Sequence, residues 1–414
     1  MDIVVQKYGG SSLATLERVR RVADRIAKER GPVAVVVSAQ GDLTDTLIRT
    51  AAGYGAAPPA RELDQLLATG ESASAALLAI ALHDIGVPAV SLTAAQAGVL
   101  AEGRHGAGVI AAVQTDRVRR VLRDGQVAVV AGFQGIGADD DVVTLGRGGS
   151  DTTAVALAAE LGARRCEIYT DVDGVYSADP RVVSVARVLP EVDVAVMAEM
   201  AFAGARVLHS RSVELAAMEG IEIHVRSSLT DGRGSVISGG AGVKVLETRG
   251  VIVAVTHDMD VARVLVHTRG AGRDLAAEVL GLLAGHAVPV DLVARSGTYE
   301  EEFRMGFTIR RNDAERVRPD LARFAAALGG GVVVEEHVGK LSVVGMGLLN
   351  RPQYTARMLA ALSAAGITTS WISTSQLRTS VAVPLDRVLD GVELLHREFE
   401  LDRDDATARS ATAA

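Results

Sequence analysis

Residues 32–38 read Pro-Val-Ala-Val-Val-Val-Ser, an unbroken apolar run between Gly31 and Gly41. A strand without polar alternation has to be covered on both faces, and the usual cover is a layer of helices. Residues 2–6 form a first short strand, and further runs follow at 88–92, 127–131 and 167–169. They alternate with helical patterns near 74–83, 114–123 and 152–161. Alternation of this kind builds a parallel, doubly wound sheet, so the expected class is α/β. Open sheets of that type receive ligands at the carboxyl ends of their strands.

The turns at those ends hold the residues with chemical potential. Residues 144–154 (TLGRGGSDTTA) join a strand to a helix. Gly146, Gly148 and Gly149 allow close backbone approach there, and Arg147 adds a cation. Ser150 and Asp151 are the expected N-caps of a helix beginning at Thr152. Bare N–H groups at such a start form an anion seat, although a glycine pattern alone is also an ordinary strand-to-helix turn. Lys7-Tyr-Gly-Gly-Ser-Ser12 makes a second glycine turn after the first strand. Its lysine precedes the glycines, so it is not a Walker A loop; a lysine there is a flexible point charge able to follow a phosphoryl group. A third turn, 39–45, ends the run at 32–38, and Glu71 stands between the stretch 66–71 and an expected helix at 73–82. The polar loop 170–181 carries three aspartates and one aromatic, enough to wrap a base and ribose.

A chain of 414 residues suits two or three domains. With 3% aromatics and a net charge of −8, it lacks stacking platforms and a basic face, which argues against nucleic acid as a partner. Cys166 is the single cysteine, which excludes a disulfide framework or cysteine metal cluster; its strand context points to packing. The first residues show no basic-then-apolar leader, and the apolar stretch 73–100 is broken by His83-Asp84 and Pro88, against a bilayer span. The expected location is the cytoplasm, with no membrane partner and no protein-bound metal. Glycine and serine concentrate over 230–242, so a first domain is expected at 1–240 and a second half at 246–403. That half repeats weakly: strand 262–267, helix 275–284 and strand 288–294, then strand 340–345, helix 354–365 and strand 367–373. With extra strands at 303–310 and 379–384, two ferredoxin-like modules are expected at about 260–335 and 338–400. Residues 404–414 read as a disordered tail.

Taken in order, these stretches resemble the aspartate kinases of the amino-acid kinase superfamily. The likeness rests on Lys7-Tyr-Gly-Gly-Ser-Ser, Ser38-Ala-Gln-Gly-Asp-Leu-Thr-Asp, Thr69-Gly-Glu, Gly132-Phe-Gln-Gly, residues 144–156 and residues 168–181, with Val225-Arg-Ser-Ser and Ile372-Ser-Thr-Ser further on. It implies an amino-acid kinase fold, a parallel-dominated sheet sandwiched by helices, followed by two ferredoxin-like ACT modules. The implied reaction is transfer of the ATP γ-phosphoryl to the β-carboxylate of L-aspartate, the first step of the aspartate-family amino-acid pathway, with Mg²⁺ bridging the phosphates. By the same likeness Lys7 stabilises the moving charge, Asp151 orients Lys7, and Arg147 grips the α-carboxylate. Glu71 would pair with the ammonium, and Ser38, Thr44, Gly148, Gly149 and Ser150 would line the acceptor pocket. Tyr8, Gly9, Gly10 and Ser11, with Thr170, Asp171, Tyr176, Asp179, Arg181 and Arg206, would hold the nucleotide. The ACT modules imply a homo-oligomer.

The chain departs from the family at several points. Arg206 stands where lysine is usual, Tyr8 where phenylalanine is usual and Gln40 where methionine is usual. Arg273-Asp274 replaces the Pro-Gly turn of lysine- or threonine-inhibited members, and Arg295-Ser296 replaces their Gln-Asn pair. Weak feedback by lysine plus threonine is therefore expected. Two other readings compete: a kinase of the same fold acting on another amino-acid carboxylate, and a non-catalytic amino-acid sensor using only its ACT modules.

Overall fold

The computed structural model describes residues 2–55, 58–239, 252–269, 275–296 and 302–403. Its contacts divide into two compact units. One comprises Met1–Val175, Val188–Phe202 and Arg206–Val243, the other Tyr176–Arg187, Ala203–Ala205 and Lys244–Ala414. The residues of the expected tail, 404–414, and Arg273-Asp274 lie outside the described ones, as does most of the stretch around the expected boundary.

The first unit is built on an eight-stranded sheet. Its order is Glu191–Asp193, Ser235–Ser238, Glu222–Ser227, Arg165–Thr170, Val4–Tyr8, Val33–Val37, Val127–Ala131 and Ala89–Leu92. Neighbours run parallel, apart from the antiparallel pairing of Ser235–Ser238 with Glu222–Ser227. All five residues of Val33–Val37 and of Val127–Ala131 are buried, as strands covered on both faces must be. On one face the helices Leu16–Ile26 and Ala60–Asp84 pack Val19, Val22, Leu78 and Leu82 against Val35, Val37 and Val129. The helix Gly149–Leu161, almost wholly buried, fills the other.

Three sequence expectations change here. The stretch 66–71 and the helix expected at 73–82 belong to one helix, Ala60–Asp84, so Glu71 lies inside a helix and not between segments. Burial of one stripe, Asp64, Leu67, Ala68, Glu71, Ala75 and Leu78, holds it through Gly70. This helix is long and apolar enough by length and composition to cross a membrane, but half of its apolar window is packed inside the unit. Second, the helix expected to begin at Thr152 starts at Gly149, with Gly148 as N-cap and no side-chain cap. Asp151 makes no cap because its carboxylate is drawn to Lys7. Third, a four-stranded sheet, Ala107–Val113, Val99–Arg104, Gln134–Ile136 and Val142–Thr144, had no sequence signal. Two of its strands are three residues long, too short to show a period.

In the second unit the strands expected for the two modules lie in one six-stranded antiparallel sheet. Its order is Asp291–Ser296, Glu302–Arg310, Ile252–Arg269, Gly331–Gly345, Arg378–Pro384 and Ser370–Thr374. The strand Ile252–Arg269 serves two cores, pairing 252–258 with 340–345 and 261–267 with 331–338. One core joins Val264, Phe307, Leu283 and Leu321; the other joins Val255, Leu341, Leu362 and Leu395. The segment 176–187 is part of the second core through Ala178 and Val183, although in sequence it interrupts the first unit. Val255 N donates to Ser177 O (2.9 Å), and Ser177 Oγ lies 2.9 Å from His396 Nε2.

Candidate active site

Lys7 leaves the first strand toward the helix Gly149–Leu161, where its Nζ lies 2.7 Å from Asp151 Oδ1. Both side chains keep a little solvent access, 13% and 11%, so the pair is reachable by solvent and not sealed in the core. Successive strand residues point to opposite faces. The Tyr8 side chain therefore turns away: its ring is fully buried, stacked on Tyr169 at 4.8 Å, with its hydroxyl donating to Gln6, so any part it takes in holding a nucleotide falls to its backbone. The turn that follows is tight. Gly9 N donates to Tyr169 O, and Gly41 N donates to Gly10 O. A Cβ on Gly10 would fall 2.6 Å from Ala39 O, so only glycine lets these two loops meet. Ser11 sits half-buried in the short helix that continues the turn.

The loop 38–42 is held from beneath by Glu71. Its Oε1 accepts Ala39 N at 3.0 Å, while its Oε2 is buried and has no hydrogen-bond partner. Burial pushes its pKa up to about 7, although the Ala39 amide pulls the other way. Gly70 allows this approach, since a Cβ there would lie 2.9 Å from Ala39 Cβ. Ser38 and Thr44, at the strand's end and the next helix's start, are half-buried.

Arg147 is exposed, and its guanidinium has no hydrogen-bond or ion-pair partner among the described residues. The backbone around it is tightly constrained. Gly148 has φ 71°, and a Cβ there would strike His209 at 2.2 Å. Gly149 lies against Leu145 and Phe133, and Ser150 against Gly132. Phe133 itself has φ 67°, a conformation uncommon for an aromatic, directly after the carboxyl end of Val127–Ala131. Sequence reasoning quoted Gly132-Phe-Gln-Gly but did not single out Phe133; the signal available was the glycine before an aromatic at a strand end.

Thr170 donates to Asp171 at 3.0 Å after the strand Arg165–Thr170, and Arg206 is exposed in the turn before the helix Ser210–Glu219. Tyr176, Asp179 and Arg181 belong to the second unit. Arg181 binds Asp179 through two guanidinium nitrogens, at 3.0 and 2.7 Å, and holds its carboxyl below the usual range. Cys166 is fully buried, and burial raises its thiol pKa far from reactivity.

A parallel sheet with glycine turns, a lysine–aspartate pair and a free arginine at its strand ends defines an amino-acid kinase. The amino acid kinase family model matches residues 2–227, and an ACT domain model matches 341–399. An aspartokinase of Mycolicibacterium smegmatis is 43% identical over 98% of this chain and 98% of its own. One of Thermus thermophilus is 40% identical over 97% of this chain and its whole length. The crystal structure of E. coli aspartokinase III in complex with aspartate and ADP matches with a TM-score of 0.82 at 26% identity, covering 96% of this chain and 99% of that one. The chain belongs to the aspartokinase family.

Proposed function

We propose that this protein transfers the γ-phosphoryl group of ATP to the β-carboxylate of L-aspartate, giving 4-phospho-L-aspartate and ADP. The observation that carries the reading is the Lys7–Asp151 pair, a solvent-reachable cation fixed at the carboxyl end of a central parallel strand. A carboxylate nucleophile is already ionised at neutral pH, so the reaction needs position and charge neutralisation and no general base. The attacking oxygen forms its bond to phosphorus as the bond to ADP breaks, and Lys7 meets the charge on the transferred group. Arg147 offers a fork with no partner among the described residues to the α-carboxylate, and the unpartnered Glu71 Oε2 suits the α-ammonium. An acetylated amine is neutral and would leave the buried carboxylate without a counter-charge.

Among the described residues no three His, Cys, Asp or Glu side chains group as a metal cage. That donor set suits Mg²⁺ arriving on the nucleotide, since this ion keeps its waters and leans on phosphates. When bound, it neutralises phosphate charge beside Lys7. The base and ribose are assigned to the loop of Thr170, Asp171, Tyr176, Asp179 and Arg181, with Arg206. This reading puts the enzyme in the cytoplasm, assembled as a homo-oligomer through its ACT modules.

Weak lysine and threonine feedback belongs to the same proposal. Arg295 is exposed, its guanidinium 5.7 Å from the centre of the Phe303 ring. The carboxylate of Asp291 is already met by Lys340 at 2.9 Å and Arg378 at 3.1 Å, leaving it little capacity for a ligand ammonium. Acyl phosphate trapped with hydroxylamine, with aspartate, glutamate and N-acetylglutamate compared, tests the acceptor. Turnover with aspartate alone is expected; no turnover with any acceptor overturns the reading. Strong inhibition by millimolar lysine or threonine would overturn the regulatory part.

A further inference from the structure

Asp64 is one of the most buried carboxylates in the first unit, 1% exposed, and it lies two helical turns before Glu71 on the same stripe of Ala60–Asp84. Nothing in the phosphoryl-transfer scheme uses it. Two of its bonds go to Thr144, three residues before Arg147, and two to the 105–106 turn, whose Gly106 O faces Gly146 beside Arg147. Oδ2 accepts Thr144 N at 2.8 Å and Gly106 N at 2.9 Å, and lies 3.1 Å from His105 Nδ1. Oδ1 accepts Thr144 Oγ1 at 2.6 Å. The chain is pinned again one residue on. Leu145 N donates to Phe133 O at 2.9 Å, and Leu145 O accepts Arg211 Nη1 at 2.7 Å, while Arg211 Nη2 reaches Gly108 O at 3.0 Å. Arg147 is thus two residues beyond a fully anchored peptide.

We propose that Asp64 is a positioning residue that sets the place of Arg147 by fixing Thr144 and the 105–106 turn. Glu71 and Asp64 are borne on one rigid helix, about 10 Å apart along its axis. The helix therefore acts as a ruler between the loop beneath which Glu71 stands and the loop from which Arg147 projects. The α-ammonium and α-carboxylate of the acceptor sit on one carbon at a fixed short span, so both grips must be held in place at once, and Asp64 fixes the carboxylate end. This rests on the aspartokinase reading above.

The test uses the full-length enzyme and two acceptors, L-aspartate and 3-aminopropanoate, which is aspartate without its α-carboxylate. The second is followed as turnover or as competitive inhibition against aspartate. Asp64→Asn presents an amide N–H₂ to at least one of the donors now bound. It is expected to raise KM for aspartate about 10- to 100-fold, a misplacement effect, while KM for ATP stays within about twofold. Discrimination between the two acceptors should fall by the same factor as KM for aspartate rises. Thr144→Val, which removes only the hydroxyl bond and keeps the volume, should shift both quantities in the same direction by less. A role in stability alone predicts equal losses for both acceptors and both substrates, and that result, in either variant, overturns the proposal. Wild-type enzyme that fails with aspartate would instead sink the acceptor reading.

Discussion

At the scale of single residues, the site is a balance of burial against charge. Glu71 shows it best. Burial raises its pKa to about 7, so near neutrality the empty enzyme holds a partly protonated carboxyl. An arriving ammonium needs the carboxylate, so binding expels a proton. KM for aspartate is expected to rise as pH falls below about 7 and to level off above it. In Glu71→Gln the KM should be high and nearly flat over the same range; initial rates from pH 5.5 to 8.5 check this. The stability sign is opposite. A raised carboxyl pKa stabilises the fold below the usual carboxylate range, and that contribution is lost as pH rises through about 7. A residue held for binding therefore weakens the fold at working pH. Asp291 illustrates the opposite arrangement. Burial pushes its pKa up, but Lys340 and Arg378 outweigh that and hold it at about 2.

At the scale of elements, the helix Gly149–Leu161 begins where sequence rules do not place it. Ser150 and Asp151 read as caps because short oxygen-bearing side chains favour that position. Lys7, 144 residues earlier in the chain, outbids the cap for Asp151, and no local rule reports such a partner. Gly148 takes the N-cap with a left-handed backbone packed on His209, whose side chain accepts Arg211 N at the start of the helix Ser210–Glu219. Gly148→Ala should lower the thermal midpoint, with about 1–2 kcal/mol from the backbone conformation and more from displacing His209. It should also raise KM for aspartate. Gly162, at the other end of the same helix, has the same φ of 71° with open space around it. Gly162→Ala should show the backbone cost only, with KM unchanged; melting curves and aspartate titrations of the two variants make the comparison.

At the scale of the molecule, the two units are not separated by one cut. The segment 176–187 leaves the first unit, buries Ala178 and Val183 in the second core and returns. A fragment of residues 1–239 keeps this segment and loses its cover. It is expected to be poorly soluble or to lack a cooperative melt, whereas the full chain melts cooperatively. Soluble yield and circular dichroism on heating decide it.

Much of this was legible in the residues alone. The apolar runs at 33–37 and 127–131 specify buried parallel strands by composition, because nothing polar alternates along them. The glycine turns with Lys7 and Arg147 are visible as local pattern, while the parts given to them and to Glu71 rest on the family resemblance. What tertiary structure alone decided depends on partners far apart in sequence. Tyr8 is turned from the site by the pleat and by Tyr169; Asp64 is drawn to Thr144, 80 residues on; and the strand Ile252–Arg269 is shared between two cores. Local propensity is written in neighbouring residues, but the satisfaction of a buried charge is settled by whichever partner the fold brings within hydrogen-bond reach.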